Sequence, residues 1–253
     1  MSTFPKILTP EEINSYRTDG YLVVPDLLTD DEVEAYLAHE NESSPANQCG
    51  LRGHTQDPQY RYLATHPKIA GIASQLLESP LRVVQTMYLG KPSGGKGIAL
   101  HQDSHYLPNE PNTLMACWVA MTDTDGENGG LCVVPGSHHG GLLGVHENQG
   151  TQEHDAFEMN YPMRDRDGRE WTQRMYRFEI DDLDPDTIVR LNVPRGAGVF
   201  FTGLTIHGSF ANHSPDRPRL AFATHYVRED TWLFRQDVQD TMPVSGTTYE
   251  PKA

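Results

Sequence analysis

Cysteine is nearly missing from this chain of 253 residues, which carries three. Cys49, Cys117 and Cys132 are odd in number, widely spaced and form no C-x-x-C pair. That argues against a disulfide scaffold or a zinc knuckle and fits reduced thiols in a cytoplasmic compartment. Basic residues are also scarce, with 20 Lys+Arg against 35 Asp+Glu and a formal net charge of −15. No run of like basic residues occurs, so no nucleic-acid partner and no anionic-membrane surface is expected. No window approaches the roughly 18 consecutive apolar residues of a membrane span. The N-terminal stretch holds Pro5 and then Glu11 and Glu12 in place of a basic-then-apolar signal segment. Two catalytic signatures are lacking as well. Gly136-Ser137-His138 is not the G-x-S-x-G elbow of a serine hydrolase. Gly94-Gly95-Lys96-Gly97 lacks the spacing of a phosphate-binding loop and reads as a flexible loop at the mouth of a site.

What is present begins with helix signals. Thr9-Pro10-Glu11-Glu12 supplies an N-cap, a proline at the first helical position and a capping-box glutamate. That helix should run to about Thr18 and stop at Asp19-Gly20, ahead of a short strand over 21–24. Thr29-Asp30-Asp31-Glu32 repeats the signature for a helix to about His39, and a shorter helix is expected over 67–77. Residues 41–58 are polar and turn-rich and read as a loop bordering a pocket. From Leu81 the character changes to short β-branched or aromatic runs separated by Gly, Pro, Asn and Asp. Strands are expected over 81–89, 114–121, 131–134, 188–193, 198–201, 206–212 and 220–227. Several are apolar on both sides of the pleat, as befits a sheet with helices on its outer face. The fold class is therefore mainly β with flanking helices, a jelly roll or sandwich. A single domain over 1–253 is expected, with a helical part over about 1–80, a core over about 81–230 and a tail over 231–253. The segment 140–186 is charged in mixed sign and long for a connection, so it reads as either a substrate-facing lid or a solvated loop.

The chemistry gathers at His101-Gln102-Asp103. In an extended segment, residues i and i+2 share a face, so His101 and Asp103 would converge while Gln102 faces away. Chance alone yields about one H-x-D in a chain of this composition, so the tripeptide needs a third ligand from elsewhere. His207, in Thr205-Ile206-His207-Gly208-Ser209, is the candidate. Two histidines and one carboxylate form the face that leaves positions open on non-haem Fe(II).

Four stretches in order carry a family resemblance: Asp19-Gly20-Tyr21-Leu22-Val23-Val24, His101-Gln102-Asp103, Glu127-Asn128-Gly129-Gly130-Leu131 with Val134-Pro135-Gly136-Ser137-His138, and His207-Gly208-Ser209 followed by Asn212, Arg219 and His225-Tyr226. Together they resemble the phytanoyl-CoA dioxygenase family of Fe(II)- and 2-oxoglutarate-dependent oxygenases. The resemblance implies a double-stranded β-helix (jelly-roll, cupin-like) core. It also implies Fe(II) on His101, Asp103 and His207, with 2-oxoglutarate and O2 as cosubstrates. Hydroxylation of a C–H bond in a small molecule would release succinate and CO2. Asp103 stands where related halogenases carry a small residue, so halogenation is not expected, whereas desaturation or ring formation stays open. In the family an arginine about a dozen residues after the second histidine grips the far carboxylate of 2-oxoglutarate, a task suited to a bidentate guanidinium. Arg217 and Arg219 both fit, and alignment of the following strand favours Arg219. Gln102, Trp118 and Ser209 would line the same pocket, although Trp118 also suits a core and Ser209 a turn. Met87 and Gln85 are further strand candidates, and His105 a substrate contact. His138 and His139 read as structural, His213 as a loop residue and His225 as a core residue. Residues 47–60 and 161–177 are candidate substrate walls, and Arg52, Arg61, Arg164 and Arg174 are the cations available to a coenzyme A thioester. The reading from another class is a non-catalytic, metal-binding jelly-roll module.

Overall fold

The computed structural model describes residues 8–42 and 51–245. Helix α1 (Pro10–Asp19) has the expected capping box, with the Thr9 side chain accepting from Glu12 N and the Glu12 carboxylate accepting from Thr9 N. It ends at Gly20 with φ 78° and passes directly into β1 (Tyr21–Val24). The second box, Thr29 with Glu32, opens α2 (Asp30–Glu42), three residues longer than its apolar stripe indicates. The stretch expected as a loop holds more structure than its polarity suggests. Residues 43–50, Cys49 among them, lie outside the described residues, but α3 (Gly53–Gln56) and α4 (Pro58–Ala64) follow. Asp57-Pro58 looks like a turn, yet the Asp57 carboxylate caps the N–H groups of Gln59 and Tyr60 and Pro58 takes the first helical position. Helix α5 (Pro67–Leu77) completes the helical part as expected.

The β-part runs β2 (Leu81–Lys91), β3 (Ile98–His101), a single turn α6 (Asp103–Tyr106), β4 (Asn109–Glu110), β5 (Met115–Ala120) and β6 (Cys132–Val133). It continues through β7 (Val145–Glu147), β8 (Glu158–Arg164), β9 (Glu170–Tyr176), β10 (Phe178–Ile180) and β11 (Val189–Arg190). Last come β12 (Gly198–Thr202), β13 (His207–Ser209), β14 (Arg219–Arg228), β15 (Trp232–Leu233) and β16 (Met242–Pro243). A six-stranded sheet in the order β1-β12-β5-β14-β2-β16 faces a four-stranded sheet in the order β11-β6-β13-β3, the two layers of a jelly roll.

The pleat sorts the core into two compartments. Along β5, Met115, Cys117 and Val119 pack outward against Tyr36, Leu63, Ile69 and Ile72 of the helices, while Ala116, Trp118 and Ala120 turn inward between the sheets. This two-sided burial is why β5 has no polar residue. Tyr36, Tyr60 and Phe222 meet edge-on with centroids 5.2–6.0 Å apart and anchor the helical layer. Truncating a residue so buried, as in Phe222→Ala, costs roughly 3–5 kcal/mol.

The charged 140–186 segment carries four β-strands. Strands β8 and β9 form a hairpin and β7 pairs with β10. Tyr161, Met163, Met175 and Phe178 are buried against Tyr106 and Phe234, and Arg174 bonds Glu147 and Glu158 on the outer side. The Phe178 N–H donates to the Tyr106 hydroxyl at 2.9 Å, which ties the insertion to the turn that follows Asp103. Among the described residues no helix is long and apolar enough to cross a membrane. Cys117 and Cys132 are buried free thiols.

Candidate active site

Antiparallel pairing of β3 with β13 sets His207 opposite His101, with ring centroids 4.4 Å apart. Gly208 lets the strands approach, since a Cβ there would stand 2.7 Å from Ile98 O. Strand β3 ends at His101, Gln102 stays extended (φ −111°, ψ 130°), and Asp103 opens α6. The i, i+2 convergence therefore survives although only half the motif is strand. Donor atoms of His101, Asp103 and His207 lie within 4.8 Å of one another, and all three residues are buried.

The tautomers follow from the backbone. His101 Nδ1 donates to Ala99 O at 2.7 Å and His207 Nδ1 to Thr205 O at 2.9 Å. Each ring thus turns a bare Nε2 lone pair toward Asp103 Oδ1, at 3.4 Å and 3.5 Å. Burial lowers the His207 pKa to about 4, keeping the ring neutral. Burial opposes ionisation of Asp103, but its histidine neighbours, with His225 donating to it at 2.9 Å, hold the carboxyl well below the ordinary range. Three lone pairs converging in a buried space without a proton between them call for a cation. Two imidazoles and one carboxylate oxygen suit Fe(II).

His225 makes a contact that its place in an apolar strand does not announce. Its Nε2 donates to Asp103 Oδ2 at 2.9 Å, and its Nδ1 accepts from the Gln85 amide at 3.3 Å. Gln85 thereby fixes the tautomer, and His225 leaves Oδ1 as the free oxygen of Asp103.

The triad forms one part of a cavity of about 80 Å³ between the sheets. Met87, Trp118, Ser209 and Arg219 line it too, with apolar walls from Leu89, Ala116, Leu131, Phe201 and Ala223. Arg219 is 5% exposed; its Nε and one terminal nitrogen donate to Gly129 O and Leu89 O, and it forms no ion pair among the described residues. Burial lowers its pKa to about 10. Arg217 instead lies at the surface, forked onto Asp125 and Glu127. Gln102 is a correction to the expected pocket set. Its side chain points away from the cavity, donating to Gly141 O and Leu204 O and accepting from Leu143 N, because the extended backbone that aims its neighbours inward aims it outward. His105 also faces the insertion, bonding Leu143 O and packing on Phe178. His138 and His139 bond the last carbonyls of α1, Arg17 O and Thr18 O, and His213 pairs with Glu153. Lys91, unremarked in the sequence, is buried across the sheet from Arg219, whose charge acts on it.

A jelly roll whose sheets enclose a two-histidine, one-carboxylate face defines the class of non-haem iron oxygenases. The sequence profile of the phytanoyl-CoA dioxygenase family (PhyH) matches residues 16–221, and the chain belongs to that family. The chain is 29% identical to peroxisomal phytanoyl-CoA dioxygenase of Rattus norvegicus over 259 residues, covering 88% of this chain and 70% of that protein. In structure it is similar to the epimerase SnoN in complex with Fe3+, alpha ketoglutarate and nogalamycin RO (TM-score 0.67, 25% identity, covering 96% of this chain and 93% of the other). It is likewise similar to the alpha ketoglutarate-dependent carbocyclase SnoK (TM-score 0.65, 26% identity, 95% and 91% covered). The protein is an iron- and 2-oxoglutarate-dependent dioxygenase.

Proposed function

We propose that this single-domain enzyme hydroxylates a C–H bond of a small molecule, with His101, Asp103 and His207 holding Fe(II). Arg219 and Ser209 would receive the far carboxylate of 2-oxoglutarate, with Trp118 as a wall. Bound together, iron and 2-oxoglutarate supply the oxidising power that functionalises the substrate and releases succinate and CO2. The chain's own part is to keep the His207 imidazole neutral, to hold one aspartate oxygen free through His225, and to exclude water with the apolar faces of both sheets. The carrying observation is Arg219: a buried guanidinium with no ion-pair partner among the described residues lines the same cavity as three converging ligand atoms. A buried charge of this kind needs an anion.

A coenzyme A substrate is disfavoured. Arg52 and Arg61 already bond backbone carbonyls, Arg164 bonds Gln239, and Arg174 bonds two glutamates. The substrate wall we favour is the β8–β9 insertion with residues 51–60. Desaturation, epimerisation or ring closure is the second reading, supported by the similarity to an epimerase and a carbocyclase. A cytoplasmic location rests on Cys117 and Cys132, free and buried among the described residues. Anaerobic titration with Fe(II) and 2-oxoglutarate tests the site: a weak visible charge-transfer band is expected, and bound metal without that band refutes it. A succinate-release screen over a metabolite panel then reads substrate class.

A further inference from the structure

Lys91 ends β2 on the cavity side of the pleat, directly across from Arg219 of β14. It is 3% exposed, and its ammonium donates to Gly129 O at 3.0 Å, to Ser209 Oγ at 2.9 Å and to Phe210 O. All three of its protons are thereby used. The place is built around it: Gly129 has φ 74°, and a Cβ there would stand 2.8 Å from Lys91 Cδ and 2.9 Å from Nζ. Gly129 leaves the room in which this cation sits, whereas Gly130 is pressed against the Asp125 backbone.

The consequence falls on Ser209. Its Oγ accepts from Lys91 Nζ and also from Ile98 N at 3.3 Å. A hydroxyl has two acceptor lone pairs and one proton, so two incoming donors leave Ser209 only the role of donor. Its side chain lines the cavity. We propose that Lys91 is a positioning residue for the cosubstrate: it locks Ser209 as a hydrogen-bond donor toward the carboxylate that Arg219 receives, and places a second positive charge behind it. This rests on the reading of Arg219 given above.

The electrostatics agree. The groups acting on Lys91 are Arg219, Cys132, Asp155, Glu153 and His154. Burial first, then Arg219, brings its pKa down to about 7. A carboxylate arriving at Arg219 offsets that repulsion and favours the charged lysine. Binding then takes up a proton at pH above 7, so affinity is full below about 7 and declines as pH rises, by at most about tenfold per unit.

The test is calorimetric titration of the anaerobic Fe(II) protein with 2-oxoglutarate from pH 6 to 9. Wild type is compared with Lys91→Met, Ser209→Ala, the double variant, Lys91→Arg and Arg219→Met. Lys91→Met and Ser209→Ala should each raise Kd about tenfold, the scale of one hydrogen bond to a charged group. The double variant should be little worse than the worse single, and Lys91→Met should flatten the pH profile. Fully additive losses, or a wild-type affinity that does not change with pH, overturn the proposal. Should Lys91→Met fail to fold, Lys91→Arg and the wild-type profile decide: the arginine keeps a charge without the titration, so affinity should persist and the pH dependence vanish. Unchanged affinity in Arg219→Met would instead sink the anchor reading, a result separable from failure at Lys91.

Discussion

Replacing Arg219 by methionine should leave the free protein standing and cripple its hold on 2-oxoglutarate. Burial moves the guanidinium from its ordinary value down to about 10. That displacement corresponds to about 3 kcal/mol against the charged form in the free protein. Methionine removes this cost and strands two carbonyls, Gly129 O and Leu89 O, at about 1 kcal/mol each. The two effects nearly cancel, so Tm without cosubstrate should stay within about 3 °C of wild type. Binding, by contrast, loses two charge-assisted hydrogen bonds worth about 2 kcal/mol apiece, a Kd increase of about a thousandfold. Anaerobic calorimetry and thermal unfolding of the same preparations measure both. A Tm drop of about 10 °C with unchanged affinity would make Arg219 a structural residue and refute the reasoning. Arg217→Ala is the control: its exposed pairs with Asp125 and Glu127 contribute little, and neither reading should move.

Other outcomes follow from the same geometry. His101→Ala, Asp103→Ala and His207→Ala should each abolish succinate formation and stoichiometric Fe(II) binding, read by product assay and metal content. Gln85→Leu and His225→Phe should lower Fe(II) affinity about 10- to 100-fold in competition with a chelator, because Asp103 loses the donor that orients it. Acid should destabilise the fold through His54, which is fully buried with an unpartnered Nε2. Burial, assisted by Arg52 and Arg61, lowers its pKa to about 4. The unfolded chain binds the proton first, so stability is complete above about pH 6.5 and is lost toward pH 4, by about 2 kcal/mol at pH 5. Denaturant unfolding of His54→Leu should show a smaller loss between pH 7 and 5 than wild type.

Capping boxes made α1 and α2 legible, and short β-branched or aromatic runs between turn residues the core strands, because those signals are local. Residues 41–58 read as a loop although Asp57-Pro58 can start a helix as well as a turn, and only tertiary packing of Tyr60 and Leu63 chooses. The β7–β10 insertion escaped because its charges overwhelm a short apolar set. Tyr161 and Met163 do alternate, and Arg174 lies across the hairpin from Asn160, but a seven-residue run of mixed sign also describes a loop. Around the cavity, a period-two reading could have found more. Gln85, Met87, Leu89 and Lys91 share one face of β2 and stand opposite His225, Ala223, Ala221 and Arg219. A lysine and a glutamine in phase with the apolar Met87 and Leu89 were the visible signal. Which parity faces inward depends on the partner sheet, and that no single strand reveals.

The far end of the chain's first helix reaches the metal motif. Gly20 O accepts from Thr205 Oγ1, and Thr205 O is the acceptor that orients the His207 ring. Ser137, whose neighbours cap α1, also holds Ile206 N. Trimming the protein for crystallisation, or fusing a rigid partner to it, should therefore spare everything from Leu8 onward, since Leu8 is itself buried in the core. A cut inside α1 would slacken an imidazole nearly two hundred positions downstream.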